Sequence, residues 1–201
     1  MNASNSLSIL RREFKNLSQV QDIEKGYIKA TPFNLALDPD LLSLVSRCWA
    51  EHYIEEPRIE AIVGLPDAGS RLVSMVADML RVKKILPSKR TVTPPGSWES
   101  VVTFKNSSFT TDQDEVVSQI GFVKPGMRLL LVDDVVAHGT TAIAAIKALQ
   151  AKKAEIVGLA IIFDKVWQKG VEQIQQETGV PVFSLMRIES ISKTGEIILQ
   201  E

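Results

Sequence analysis

Apolar positions along this chain switch repeatedly between two periodicities. Residues 129–132 and 155–163 are continuous apolar runs too short for buried helices, and they read as strands covered on both faces. Residues 59–64 and 180–185 read as two further strands. After small-residue turns come helical stretches: one from about residue 70 to 81, one with a stripe at Ala142, Ile143, Ile146 and Leu149, and one over 171–178. Strand, turn and helix in alternation predict an α/β domain with a parallel sheet. Before the first strand, Leu7, Leu10, Phe14, Leu17 and Val20 have loose helical spacing, predicting one or two short helices over 7–25. Tyr27–Ala30 predicts a brief strand and residues 32–34 a loop. Asp38 and Pro39 suit a helix cap and first turn, followed by an apolar face of Leu41, Leu42, Leu44, Val45, Cys48 and Trp49. Gly179 and Pro181 predict a helix stop, and alternation over 188–201 predicts an edge strand.

The pattern is weakest over residues 82–120. Lys83–Pro87 reads as a strand that Ser88-Lys89-Arg90 ends with two cations, and Thr93-Pro94-Pro95-Gly96 breaks any regular element. Val101–Phe104 and Val116–Ile120 are β-rich and flank a polar stretch. A loop of about twenty residues in a compact domain is usually functional; here it spans 91–115.

Composition narrows the class. A length of 201 residues suits one domain. A net charge of −1 suggests neither a nucleic-acid nor a membrane surface. Cys48 is the single cysteine, which fits a reducing cytoplasm. No apolar stretch approaches a transmembrane span and the start has no secretory pattern, so a soluble cytoplasmic protein is expected. Cys48 and His52 lie four apart on one predicted helix; without further ligands nearby they read as core and surface residues rather than a metal site. There is neither a Gly-x-Gly-x-x-Gly fingerprint nor a P-loop.

The most informative run is residues 128–147. The apolar strand 129–132 is ended by Asp133 and Asp134, and Gly139-Thr140-Thr141 opens an Ala-rich helix. Free N–H groups and the positive end of that helix suit a phosphate. The two acids sit where sugar hydroxyls or a metal ion could lie. Because consecutive strand residues face opposite sides, the two carboxylates are not expected to act equally.

This run resembles the ribose-phosphate motif of the type I phosphoribosyltransferases, with His138 where Thr is common and Thr140 where Gly is common. The chain from about Tyr27 onward is similar to the xanthine and related purine phosphoribosyltransferases. The similarity rests on Phe33-Asn34 before Leu37-Asp38-Pro39, on Ser108-Phe109-Thr110, on Lys165–Gly170 and on Ser184–Ser190. The resemblance implies a single-domain fold with a mainly parallel central sheet flanked by helices and a small hood. Residues 1–35 would be an N-terminal extension and part of that hood, with 91–115 a flexible loop closing over the reacting centre. It implies transfer of 5-phosphoribosyl from PRPP to a 6-oxopurine (xanthine, guanine or hypoxanthine), releasing pyrophosphate.

The 5-phosphate would bind Ala137, His138, Gly139, Thr140 and Thr141, and the ribose Asp133 and Asp134, the residues expected to carry catalysis. Pyrophosphate would bind Asp67, Ala68, Gly69, Ser70 and Arg71, with Lys89 and Arg90. Asn34 and Lys165 would contact the base; Lys165 offers only donors, which suit a 6-oxo group, and Phe163 or Trp167 could stack on it. Mg2+ would be held mainly by the substrate, with Asp133 or Asp134 available to it. Dimerisation is the family habit, so a homodimer is expected. Adenine as substrate, or a non-catalytic PRPP-binding regulator, are the alternatives. No general base stands out.

Overall fold

A computed structural model of the protein describes residues 3–56, 58–66, 68–92, 94, 96–106 and 116–200, with the backbone alone for residues 3, 4, 34 and 106. Asp67, the side chain of Asn34, and residues 107–115 with Ser108-Phe109-Thr110 therefore lie outside it.

The chain begins with helix α1 (Ala3–Leu17), which buries Leu10 and Phe14 completely. Helical spacing continues to Val20, but the helix stops at Leu17. Strands β1 (Gln19–Asp22) and β2 (Tyr27–Lys29) instead make an antiparallel hairpin. Its turn has Gly26 at φ +64° and the Asp22 carboxylate accepting the Lys25 N–H at 2.9 Å, local bonding that competes with helix. Residues 32–34, read as loop, belong to a single helical turn, α2 (Thr31–Asn34), which tolerates Pro32 in its first turn. Helix α3 (Pro39–Tyr53) starts as expected, with the Asp38 carboxylate accepting from the N–H groups of Asp40 and Leu41 at 2.9 and 3.2 Å.

Next come β3 (Ala61–Gly64), α4 (Gly69–Met79) and β4 (Ile85–Leu86). Pro87 lacks the N–H needed to continue a ladder. Ser88 and Lys89, expected to end the strand before them, form β5 of a second, three-stranded antiparallel sheet with β6 (Val102–Asn106) and β7 (Val116–Ile120), in the order β5-β7-β6.

The central unit is β8 (Arg128–Val136), α5 (Thr140–Ala151) and β9 (Glu155–Lys165). The two aspartates do not end their strand: β8 pairs with β9 through Asp133↔Ile161 and on to Val136↔Asp164. A 3₁₀ turn (Val166–Gln168) and α6 (Gly170–Thr178) follow, α6 closing on Gly179 at φ +71°. Strand β10 (Val182–Ile191) runs beyond the expected Leu185, and only β11 (Ile197–Leu199) turns back as the antiparallel edge.

The main sheet has the order β11-β10-β9-β8-β3-β4, parallel except at β11. From β3 the chain winds one way to β4, and from β8 the other way to β9 and β10. The carboxyl ends of β3 and β8 therefore flank a topological switch point, where open α/β sheets bind ligands. One face is covered by a core including Phe14, Phe33, Val45, Trp49 and Val76, the other by a core including Phe104, Ile120, Ala145, Ile146 and Ile174. Among the described residues no helix is long and apolar enough to cross a membrane.

Candidate active site

A cavity of about 380 Å³ opens at the switch point. Its lining brings together the whole run from Asp133 to Ala142, Pro66, Ala68 and Arg71 after β3, Arg90 after β5, and Phe163 and Lys165 at the end of β9.

Both carboxylates line this one cavity, against the alternation expected of a strand. Strict alternation would put Val132 and Val136 in the same core. Val132 instead packs in the core with α1, α3 and α4, and Val136 in the core with α5 and α6. Val135 packs against the former, so the alternation of β8 slips by one between Val132 and Val135. The neighbouring strand slips alongside it: consecutive Ile162 and Phe163 both belong to the α1/α3/α4 core. At this place Trp49 Nε1 donates to the Ile161 carbonyl at 3.3 Å.

Crowding two acids here perturbs their titration. Burial first, then the charge of Asp134, raises the Asp133 carboxyl well above the ordinary carboxylate range; the Asp134 N–H, donating to Asp133 Oδ1 at 2.9 Å, and the Arg90 guanidinium oppose this. Lys165 is buried as well, and burial lowers its pKa while the Asp134 charge works to keep the ammonium. A buried cation and a carboxylate that acts on it thus share one cavity wall, an arrangement that functional sites use to tune titration.

The turn after β8 is shaped by close approach. Gly139 caps α5 in the left-handed region at φ +74°, and a Cβ there would meet the Gly170 carbonyl at 2.8 Å. A Cβ on Gly170 would lie 2.2 Å from the Ala137 carbonyl. The amino end of α6 is therefore the floor on which residues 137–139 rest. The amino end of α5 borders the cavity with N–H groups that lack intrahelical acceptors and with partial positive charge, the features that hold a phosphate.

The turn after β3 is held differently. A Cβ on Gly64 would meet the backbone of Gly69 at 2.4 Å, and one on Gly69 would meet the Val132 carbonyl at 2.4 Å and Asp133 Oδ1 at 3.1 Å. Ser70 Oγ and Ser88 Oγ lie 2.8 Å apart and both bond to the Gly64 carbonyl. Gly69 and Ser70 thus knit the turn together behind the lining, whereas Ala68 and Arg71 reach the cavity. Of the two cations, Arg90 lines it, near the Pro66 carbonyl at 3.5 Å, while the Lys89 ammonium lies over the Trp98 ring, 5.1 Å from its centroid.

Phe163 lines the cavity and packs on Phe14 and Phe33 with centroids 4.5 and 5.6 Å away. Trp167 lies elsewhere: a Cβ on Gly26 would be 2.8 Å from its ring, so it packs on the β1–β2 turn, and it is not among the lining residues. Cys48 is buried in α3, its thiol pushed up to about 11 by burial, and His52 stacks on Phe183 with centroids 3.7 Å apart.

The sequence did not single out Phe14, Tyr27, Ile28, Lys29, Ala30 or Leu35 as site residues, and these complete the lining from the N-terminal segment. The short strand at Tyr27–Ala30 next to Asn34 was the available signal. Gly170 was also missed as a support; its place at the start of α6 becomes meaningful only once the turn above it is known.

The family described as phosphoribosyl transferase domain matches residues 39–179. The chain belongs to this family. As a phosphoribosyltransferase it is a pentosyl-transferring enzyme, and its curated relatives carry names consistent with that. It is 28% identical over 196 residues to the xanthine phosphoribosyltransferase of Leuconostoc mesenteroides, covering 96% of this chain and 100% of that one. It is 29% identical over 161 residues to that of an Exiguobacterium species, covering 80% and 81%. Among solved structures, adenine phosphoribosyltransferase from Rhodothermus marinus superposes with a TM-score of 0.72 at 22% identity, covering 92% of this chain and 99% of that one. The Giardia lamblia structure complexed with 9-deazaadenine gives 0.72 at 21%, covering 93% and 98%. At that identity these structures establish the fold.

Proposed function

We propose that this phosphoribosyltransferase transfers 5-phosphoribosyl from PRPP to a 6-oxopurine, with xanthine its preferred base, in purine salvage in the cytoplasm. The observation that carries the choice of base is the buried Lys165 ammonium at the cavity wall, opposed by Asp134. An ammonium has donors and no acceptor, so it favours an exocyclic oxygen and disfavours the amino group of adenine. The names of the curated relatives support xanthine among the 6-oxopurines.

In this reading the amino end of α5, with Ala137 to Thr141, holds the 5-phosphate. Asp133 and Asp134 accept from the ribose hydroxyls. Arg71 and Arg90, with the turn amides, face the pyrophosphate, a role to which the family resemblance adds Asp67. A base nitrogen forms the new bond to C1 of the ribose as the bond to pyrophosphate breaks, and the proton of that nitrogen passes to the departing pyrophosphate or to solvent. Fixed negative charge beneath an oxocarbenium-like ribose and fixed positive charge at the leaving group supply the stabilisation, the rest being orientation. The donor set suits magnesium, since the two carboxylates offer oxygen ligands in one cavity. In this reading the metal is held chiefly by the substrate, with Asp133 or Asp134 available to it. Bound there, magnesium would neutralise pyrophosphate charge. We assign residues 1–35 to an N-terminal extension and part of the hood, residues 91–115, of which Val102–Asn106 form β6, to the closing loop, and a homodimer to the assembly.

The test is a product assay with PRPP, magnesium and each of xanthine, guanine, hypoxanthine and adenine. The expected result is nucleoside monophosphate from xanthine above all. Lys165→Met should lower kcat/KM for xanthine by about 10- to 100-fold, the worth of a hydrogen bond to a charged group, and adenine turnover far less. Adenine turnover falling equally would remove Lys165 from the base site. PRPP binding without product from any base would make the chain a sensor rather than an enzyme.

A further inference from the structure

We propose that Arg71 is a positioning residue that makes pyrophosphate and base bind cooperatively, by tying the turn after β3 to the hood. The inference rests on the assignment of pyrophosphate to that turn. Arg71 stands in the first turn of α4, and its Nη1 donates to the Leu35 carbonyl at 3.2 Å, across 36 positions of chain. Both residues line the cavity, so this bond joins the part of its wall assigned to pyrophosphate to the part supplied by the N-terminal segment.

The hood segment that receives the bond is tied together by its own backbone hydrogen bonds. Leu35 and Ala36 donate their N–H groups to the Thr31 carbonyl at 3.0 and 2.9 Å, and Asp38 donates to the Pro32 carbonyl at 2.9 Å. Within that segment Phe33 is fully buried against Phe163, ring centroids 5.6 Å apart at 74°, and Phe163 is part of the cavity wall on the base side. Displacing the Leu35 carbonyl therefore shifts α2, Phe33 and the wall behind the base.

The chemistry of the side chain makes the link possible. A guanidinium carries five N–H donors in a rigid planar fork, so one edge can hold a carbonyl while the other meets phosphate oxygens. Pyrophosphate that fixes the fork also fixes Leu35, and the ordering that the base would otherwise have to impose is already done. By linkage the base must then tighten pyrophosphate by the same factor. A lysine places a single mobile ammonium at the loop and cannot hold both groups in one geometry.

The test uses Arg71→Lys and Arg71→Ala; Arg71 is exposed, so neither change disturbs the core. Xanthine binding is measured by calorimetry with and without magnesium pyrophosphate, a mixture that holds no ribose and cannot turn over. In the unaltered chain pyrophosphate should tighten xanthine by about fivefold or more, the low end for coupled sites, and slow amide exchange over residues 31–36. R71K should still bind pyrophosphate, more tightly than R71A, while its coupling falls below about twofold and residues 31–36 no longer respond; a merely structural loss would not separate these readouts. Full coupling in R71K, or two ligands that bind the unaltered chain independently, overturns the link and leaves the proposed function standing. Failure of the unaltered chain to bind either ligand overturns both.

Discussion

The units β3–α4 and β8–α5 are built to the same plan, a buried parallel strand leading through a small-residue turn into a helix, and they face each other across the switch point. Their chemistry is organised in opposite ways. In β8–α5 the functional groups belong to the unit itself: two acids in the strand, and the turn and helix end directly after them. In β3–α4 the local sequence mainly supplies closeness, with Gly64 and Gly69 pressing the turn against β8, and much of the charge comes from elsewhere, as with Arg90 after β5. A phosphate site with a fixed geometry can be written in a single stretch. A site for a leaving group is assembled from several.

Glycine substitutions should break this contrast most sharply. A Cβ at Gly69 collides with the Val132 carbonyl at 2.4 Å, backbone against backbone, so Gly69→Ala must shift α4 away from β8. Overpacking of this kind costs about 1–3 kcal/mol, and a melting temperature lower by about 2–12 °C is expected. Gly139→Ala pays instead for φ +74° and for the Gly170 carbonyl at 2.8 Å, and should cost about 1–2 kcal/mol. Thermal melts of both variants decide the matter. A Gly69 variant as stable as the unaltered chain would mean that close approach is not what organises the turn after β3.

A smaller effect, and of opposite sign, is expected at Asp133. Its folded carboxyl titrates above the unfolded value, so between those two values the folded chain holds more protons and loses stability as pH rises. Asp133→Asn removes that slope while keeping an oxygen for the Asp134 N–H. The variant should melt at nearly the same temperature as the unaltered chain at pH 4 and a few degrees higher at pH 8, about 2–4 °C for each kcal/mol. A variant less stable at pH 8 than at pH 4, relative to the unaltered chain, would show that the carboxylate is comfortably solvated or paired.

What the sequence made legible follows the same division. The elements around Leu129–Val132 and Gly139–Leu149 could be placed because period and turn chemistry agree there. The slip in β8 could not, since it appears only when Val132 and Val136 are seen in different cores. Without it the two aspartates looked destined for opposite faces. Lys89 and Arg90 are neighbours and chemically alike, yet Trp98 holds one and the cavity receives the other. Trp167 was a plausible stacking residue from position alone, but the turn at Gly26 offered its ring a packing site outside the cavity. The N-terminal segment was hardest to read, because Val20 continues a helical spacing that the Asp22–Lys25 turn overrides.

The central claim is that the switch point between β3 and β8 recognises an activated pentose through the Asp133–Thr141 run. Calorimetric titration of the protein with PRPP and magnesium, beside an Asp133→Asn/Asp134→Asn double variant, tests it most directly. Saturable binding by the unaltered chain, weakened at least about tenfold in the double variant, is the predicted result. PRPP ignored at millimolar concentration, or bound equally by both proteins, would contradict the account.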